Sequence, residues 1–574
     1  MAKKKIEDWV LKDYLRDYDA LYQEQQPWRS EAVRVSSYII PGRGVFNNLA
    51  RPAKKKLTSM KVVNPIAREA MKVLTSGLQG WLTSPLRPWF KFEMADPMLN
   101  QHPVIARWMY DVEKRMYAAL AESNFYQSIH SFYTEFAGFG TAPMYVGEDG
   151  DPFRFEVLTF GEYVIGVNSK GLVDRFYRVL FRTGQMLLDD YEDKLQSPLV
   201  DNLRRNQGLN EWHTCLECTV PRKYQDKPFT KVMYLLDSSN LQKNNYSNGK
   251  DETGCILELS GVYEFPYPTA RWDIIGSDIY GIGPGIESLP DVMRLQEMEM
   301  SGSMAVHKDV SPPLFVPAHL KGKLKTLPGA LNYSRNTMNE KITSIYDRPF
   351  DYKGVMGYIE RVEQRIQRVF FNDIFLTASR DPNASPLKAT EVQVKEGEKN
   401  FRLGPMVERT FYEFLQPLLT RCFNIMLRKN KFAALDPATM QLLSGAEFKI
   451  KLVSVLAQAQ KAIGAQPIEK FLQFVGGVSQ VKPEVLDKVD FDALVDETAD
   501  ITGVPVVIMR DAKGVMQIRQ QRAQQQAQAQ QAQMQMMQRQ MQNETGQAKA
   551  KSLKDLSSAG INAKEVMQGE QVPQ

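Results

Sequence analysis

The chain has 574 residues, 43% of them hydrophobic and 24% charged, with a formal net charge of +5 and both signs mixed along its length. That composition fits roughly two to four globular domains and excludes wholesale disorder and fibrous repeats, and so mild a positive balance does not by itself establish nucleic-acid binding. No apolar run suits a bilayer span, Met1 to Asp8 enters mixed charge without a signal core, and four cysteines make no disulfide framework in so long a chain, so the expectation is a protein made and kept in the cytoplasm.

Ile6, Val10, Tyr14, Tyr18 and Leu21 share a helical face, and Trp28, Ala32, Val35 and Tyr38 mark a second helix ending before Pro41-Gly42. Arg43, Arg51 and Lys54-Lys55-Lys56 then make a basic loop, either a solvated face or a DNA contact. Asn64-Pro65 is a cap followed by proline at the first helical position, and Ile66, Ala70, Leu74, Leu78 and Trp81 carry the helix it opens. Pro85 and Pro88 force the following segment into extended form, with Trp89 and Phe90 as core plugs. An amphipathic helix from Val104 to Ala121 turns Ile105, Trp108, Val112, Met116 and Leu120 inward. Ser123 to Tyr126 breaks it, and Ile129, Phe132, Tyr133 and Phe136 continue to Gly138-Phe139-Gly140.

From Met144 the apolar period becomes two. Hairpin signals stand at Asp149-Gly150 and around Asn168 to Gly171, Thr183 opens a helix, and strands return at Trp212 to Val220, Phe229 to Leu236 and Cys255 to Phe265. Met144 to Phe265 therefore reads as a mostly antiparallel α+β region within a mainly α chain.

Two long helices follow. Ser288, three residues before Asp291, has capping-box spacing and opens a helix through Val292, Leu295, Met298 and Val306 to Lys308. Ile359, Val362, Ile366 and Val369 lay a 4-3 seam along the second, with Arg361, Arg365 and Arg368 on another face. At about 20 residues each, both span roughly 30 Å and suit an antiparallel pair. The insert between them starts extended at Ser311-Pro312-Pro313-Leu314-Phe315 and ends by Lys353. Ser379 to Pro386 is too rich in turn formers to stay helical, and a helix restarts at Ser385-Pro386. Gly404-Pro405 interrupts it, Pro417 kinks its continuation, and mixed helices run to about Asp511. Val515 to Asn543 is glutamine-rich, either a helix needing neighbours or disordered, and residues beyond Glu544 are expected to be mobile.

Chemistry is sparse. No Gly-x-x-x-x-Gly-Lys-Ser/Thr, dinucleotide fingerprint, His-Glu-x-x-His or Gly-x-Ser-x-Gly occurs. Cys215 and Cys218, with His213 and Cys255 nearby, are half of a zinc signal without a second ligand pair. The sequence gives no reason to expect an enzyme, a metal or a cofactor.

Several segments resemble the portal proteins, or head-to-tail connectors, of short-tailed bacteriophages: Leu74 to Phe92, Ser123 to Tyr126, Gly138 to Ala142, Arg271-Trp272 with Tyr280 to Pro284, Thr390-Glu391-Val392, Leu403-Gly404-Pro405 and Leu415 to Leu418. Ile282 stands where a basic residue is common in that family, which puts a charge role there in doubt. The resemblance implies a dodecameric ring at one capsid vertex of the virion, through which double-stranded DNA enters and leaves. It implies a wing over residues 1–283, stem helices over 284–308 and 354–378, a clip over 309–353, a tunnel loop over 379–386, wing and crown helices over 387–510, and a C-terminal helix and tail over 511–574. Ser379, Arg380, Asp381, Asn383 and Ser385 would face DNA, with weak, sequence-independent contact, because a conduit must not grip each phosphate. Ile359, Val362, Ile366, Val369 and the three arginines would serve stem and subunit contacts, and Pro312, Pro313 and Phe315 docking at the clip. Partners so implied are further copies of the chain, terminase, major capsid and scaffolding proteins, a tail adaptor and internal core proteins, with no membrane. The rival readings are a packaging ATPase or nuclease, disfavoured by the missing phosphate loop, and a structural scaffold or tail component without a channel.

Overall fold

The computed structural model describes residues 2–46, 62–100, 102–194, 203–204, 209–224, 226–236, 256–316, 351–376, 402–433, 448–453, 471–476, 489–495 and 512–558, with isolated positions from 322 to 344. The chain divides into two units, Met1–Asn100 with Trp108–Gly503, and Gln101–Arg107 with Val504–Gln574.

One helix, α1 (Ala2–Tyr38), stands where two were expected, with Pro27 inside it. Tyr18, Leu21, Gln25, Arg29, Ala32 and Val35 are buried on both sides of the proline. That continuous burial outweighs the roughly 3 kcal/mol an interior proline costs. Gln25 also donates to the Tyr163 carbonyl and the Tyr280 hydroxyl, both at 2.9 Å.

The helix start shifts by one residue from the sequence reading: Pro65, not Asn64, is the N-cap, with no side-chain cap bond, and Asn64 closes the turn before it. Its side chain accepts from Ile66 N–H at 3.0 Å and α2 spans Ile66–Leu82. The extended segment after it forms a paired strand, β1 (Phe90–Met94), behind buried Trp89. Two helices follow, α3 (Pro103–Glu122) and α4 (Phe125–Phe139), and Gly140 ends α4 in the left-handed region at φ 75°. There an added Cβ would lie 2.3 Å from the Gly281 carbonyl oxygen, so glycine is required by both backbone and space.

The strands are antiparallel throughout, as expected. β2 (Thr141–Gly147) lies between β3 (Arg154–Val157) and β9 (Thr269–Arg271). A second sheet is a plain meander of β4 (Tyr163–Val167), β5 (Val173–Thr183), β6 (Trp212–Val220), β7 (Phe229–Leu236) and β8 (Ile256–Val262). The short helix α5 (Gly184–Tyr191) is capped by Thr183, whose hydroxyl accepts from Met186 N–H. Cys215 and Cys218 are three residues apart on β6, so the pleat sends them to opposite faces, and both are buried. Cys255 lies outside the described residues. Among those described, no group of three or more His, Cys, Asp or Glu is placed to hold a metal.

The later helices depart from expectation in four ways. α6 spans Pro284–Val310, and its N-cap is Gly283 with Pro284 in the first turn; Ser288 sits inside, buried, its hydroxyl on the Gly285 carbonyl. Its 27 residues face only 18 in α7 (Tyr352–Val369), so the pair is not matched in length. α7 ends early because Phe371 turns left-handed at φ 54°, held beneath the Arg402 guanidinium, and a short α8 (Asn372–Phe375) follows. Finally, residues 402–410 are helical straight through Gly404-Pro405. The irregularity falls instead just before Pro417, as a π-turn over Phe411–Leu415 leading into α9 (Gln416–Arg428). There Gln416 N–H reaches the Phe411 carbonyl, and Phe414 is stacked on Phe132 at 3.8 Å.

Between α9 and Asp511 the expectation was helices, but β12 (Phe448–Leu452) is a strand pairing antiparallel with β1, Phe90 opposite Leu452 and Met94 opposite Phe448. The two-residue strands β10 (Leu314–Phe315) and β11 (Thr343–Ser344) pair within the insert. In the second unit α10 (Ala512–Ser558) is helical for 47 residues, past Glu544, where order was expected to fail. Its Ala, Gln, Met and Lys content favours helix, with Gly514 in its first turn and Gly546 further on as weak points.

Candidate functional site

The helical hairpin of α6 and α7 is where the sequence places most functional residues. Val292 and Leu295 on α6 are buried, as are Ile359, Val362 and Ile366 on α7, and α7 also packs against α2. The apolar seam is therefore filled within one chain. Val369, assigned to that seam, is only half-buried, and Phe370 takes the inward place at the helix end.

Sequence reasoning missed the clamp that fixes this hairpin. Gln296 is buried on α6; its Oε1 accepts from Val63 N–H at 2.6 Å and Asn64 N–H at 2.9 Å, and its Nε2 donates to the Asn64 carbonyl at 2.9 Å. Asn64 Nδ2 in turn donates to Glu299 at 2.9 Å and to Glu363 at 2.7 Å, joining α6 and α7 through the entry to α2. The cap signal at Asn64-Pro65 was visible; its distant partners were not. Arg365 pairs with Asp291 at 2.8 Å across the hairpin, and the Arg294 guanidinium lies over Tyr358 at 5.1 Å.

Beyond the clamp the hairpin is bare. Met300, Met304, Val306 and Val310 on α6 and Tyr352 and Met356 on α7 are exposed, Val306 contrary to its expected inward place. Arg361 and Arg368 are exposed. In the insert Phe315 is 69% exposed, Pro313 exposed and Pro312 half-buried. Ser379, Arg380, Asp381, Asn383 and Ser385 lie outside the described residues, as do Arg51 and Lys54 to Lys56. Arg43 of the basic loop is committed to Glu135 at 2.8 Å.

The body beneath the hairpin is held by buried charges. Arg271 makes a two-point pair with Glu413 at 2.7 and 3.0 Å, tying β9 to the π-turn. Buried Arg421 on α9 donates to the Val146 and Glu264 carbonyls at 2.9 Å, and Arg428 reaches Glu264 at 2.7 Å and Glu148 at 2.9 Å. Lys429 Nζ closes the helix end on the carbonyls of Glu148, Gly150 and Pro152 at 2.7–2.9 Å. These long-range pairs join element to element.

The described residues thus form a helix hairpin clamped onto a braced α+β body. The chain belongs to the bacteriophage head to tail connecting protein family, whose model matches residues 11–509. It is 32% identical over 516 residues to the "Probable portal protein" of Bordetella phage BPP-1 and 30% identical over 519 residues to the portal protein of Salmonella phage epsilon15, in each case covering 89% of this chain and 91% of the relative. A chain from the virion of a native gene transfer agent particle is similar at 10% identity and a TM-score of 0.36, covering 80% of this chain and 98% of that one.

Proposed function

We propose that copies of this chain form a ring at one capsid vertex, with the α6–α7 hairpins as the stem around a passage for double-stranded DNA. Twelve copies is the number the family resemblance implies. The observation that carries this reading is the match of residues 11–509 to the connector family and of 89% of the chain to two phage portal proteins. The exposed distal hairpin supports it, since bare methionines and valines on an 18- to 27-residue hairpin call for cover that the described residues do not supply.

In this reading residues 309–353 are the clip where terminase and then a tail adaptor dock, with Pro312, Pro313 and Phe315 at the contact. Residues 379–386 are the tunnel loop, with Arg380 and Asn383 touching phosphate weakly and Asp381 offsetting much of the cationic collar a ring would multiply. Capsid and scaffolding proteins meet the wing. The protein is a conduit and docking platform rather than a catalyst.

Negative-stain electron microscopy of the purified chain, with its mass in solution, tests the ring. Closed rings with a channel about as wide as a duplex are expected. Filaments, or particles without a channel, would favour a scaffold or tail component. For the loop, Arg380→Ala should alter packaging rate or packaged DNA length, and unchanged values of both would remove Arg380 from the channel.

A further inference from the structure

We propose that the turn joining β2 to β3 is a cation-binding turn for a primary ammonium, and that Lys429 supplies that ammonium from within the chain. The carbonyl oxygens of Glu148, Gly150 and Pro152 converge on one point, and Lys429 Nζ stands there at 2.9, 2.8 and 2.7 Å from them. Three carbonyl dipoles aimed at one centre gather partial negative charge, an arrangement that a cation stabilises by exchanging its water shell for the carbonyls. An ammonium has three donors and no acceptor, so each carbonyl receives one N–H and none is left over.

The ligand set decides the class of cation. Acidic side chains surround the turn, but each is engaged elsewhere: Glu148 with Arg428 at 2.9 Å, Asp149 with Arg154 at 2.9 Å and Asp151 with Lys431 at 3.0 Å. The centre is therefore ringed by neutral carbonyls rather than carboxylates. Calcium takes about six to eight oxygens at about 2.3–2.6 Å and magnesium demands about 2.0–2.1 Å, so both are a poor match for three carbonyls at 2.7–2.9 Å. An ammonium or a large monovalent ion, which carbonyls alone can hold, fits. The planar fork of an arginine cannot direct three donors into so small a pyramid.

The helix end delivers the lysine. Lys429 is the C-cap of α9, its N–H on the Ile425 carbonyl at 3.0 Å, and Asn430 then turns left-handed at φ 52°. Lys431 N–H returns to the Met426 carbonyl at 3.0 Å, and its side chain pairs with Asp151. Backbone bonds thus fix Lys429 on both sides, and its charge sits at the negative end of the α9 dipole. The carbonyls are held independently of it, by the pairing of Gly147 with Arg154 at the base of the hairpin. Cutting the side chain back to Cβ would therefore leave the cage in place, without its charge and with room for a free cation.

Full-length Lys429→Ala tests this by thermal unfolding in the chlorides of different cations at one ionic strength. Its midpoint should lie below the parent's in lithium or tetramethylammonium and rise with the concentration of potassium, ammonium or methylammonium. The parent should be indifferent to the choice of cation. Lys429→Met keeps the stem in the way of a free ion and should be low in every salt, and Lys429→Arg should stay low although its charge is kept. If Lys429→Ala does not stay folded during purification, recovery of soluble chain on refolding in the same salts is the readout. An equal response to all cations, no recovery in any of them, or a Lys429→Arg midpoint equal to the parent's would overturn the proposal. The site lies within one chain, so its loss would leave the ring reading standing.

Discussion

Gln296 grips the Asn64 peptide on both sides, accepting from its N–H and donating to its carbonyl, each at 2.9 Å. The same oxygen accepts from Val63 N–H at 2.6 Å, so one amide satisfies three backbone groups at the entry to α2. Gln296→Met keeps the volume and removes every partner. The backbone groups are only partly buried, so each lost bond costs about 0.5–1.5 kcal/mol net, and a loss of about 2 kcal/mol is expected. Thermal unfolding and amide exchange at Val63, Asn64 and Ile66 check it, and unchanged protection there would mean that the clamp does not hold α2 to the hairpin.

Gly77 on α2 faces Phe375, and an added Cβ would stand 2.1 Å from its ring. Phe375 is also against Trp81 at 4.7 Å between ring centres, so it cannot retreat freely. Gly77→Ala should therefore destabilise by about 1–3 kcal/mol despite its gain in helix propensity. Adding Phe375→Leu should recover part of the loss in thermal unfolding; equal losses in the single and double variants would locate the strain elsewhere.

These contacts show what the sequence made legible. Local signals carried far: the helix start at Asn64-Pro65, read one residue early, the Thr183 cap, the turns at Asp149-Gly150 and Asn168, and the 4-3 seam at Ile359 all have their physical cause within a few residues. What failed depended on distant partners. Two helices were expected before Pro41, but burial against β4, α6 and Tyr280 carries α1 unbroken through Pro27. Phe448 to Leu452 alternates for only five residues, and its partner β1 lies more than 350 positions earlier. Ser288 had capping-box spacing, but Pro284 starts the helix a turn sooner. Within the candidate site the inward seam was readable, while Gln296 looked like any polar helix residue.

Arg271 and Glu413 form a buried two-point pair, and Arg271 also donates to the Gly171 carbonyl at 2.6 Å. Arg271→Met strands the Glu413 carboxylate and should cost about 3–5 kcal/mol. With Glu413→Leu added, the uncompensated charge disappears and part of the loss should return. Thermal unfolding of the two single variants and the double reads the coupling, and purely additive losses would show that the pair does not act as a unit.

Glu113 on α3 accepts from Phe92 N–H at 2.7 Å, beside the outer edge of β1. Burial is the main cause that lifts its carboxyl from 4.5 to about 7, and the bond from Phe92 and the charge of Lys91 only partly oppose it. Between these values the folded chain holds a proton that the unfolded chain has released. The group's contribution is therefore level below about pH 4.5, falls as pH rises towards 7, and is level again above it. At about 1.4 kcal/mol per pKa unit the whole fall is on the order of 2–3 kcal/mol, discounted for partial solvent access. Glu113→Gln keeps the acceptor for Phe92 and removes the charge. It should flatten the pH dependence across that window and leave the variant more stable than the parent at pH 8. Parallel unfolding profiles for parent and variant from pH 4 to 8 would show that Glu113 takes up its proton equally in the folded and unfolded chains and that β1 tolerates its charge.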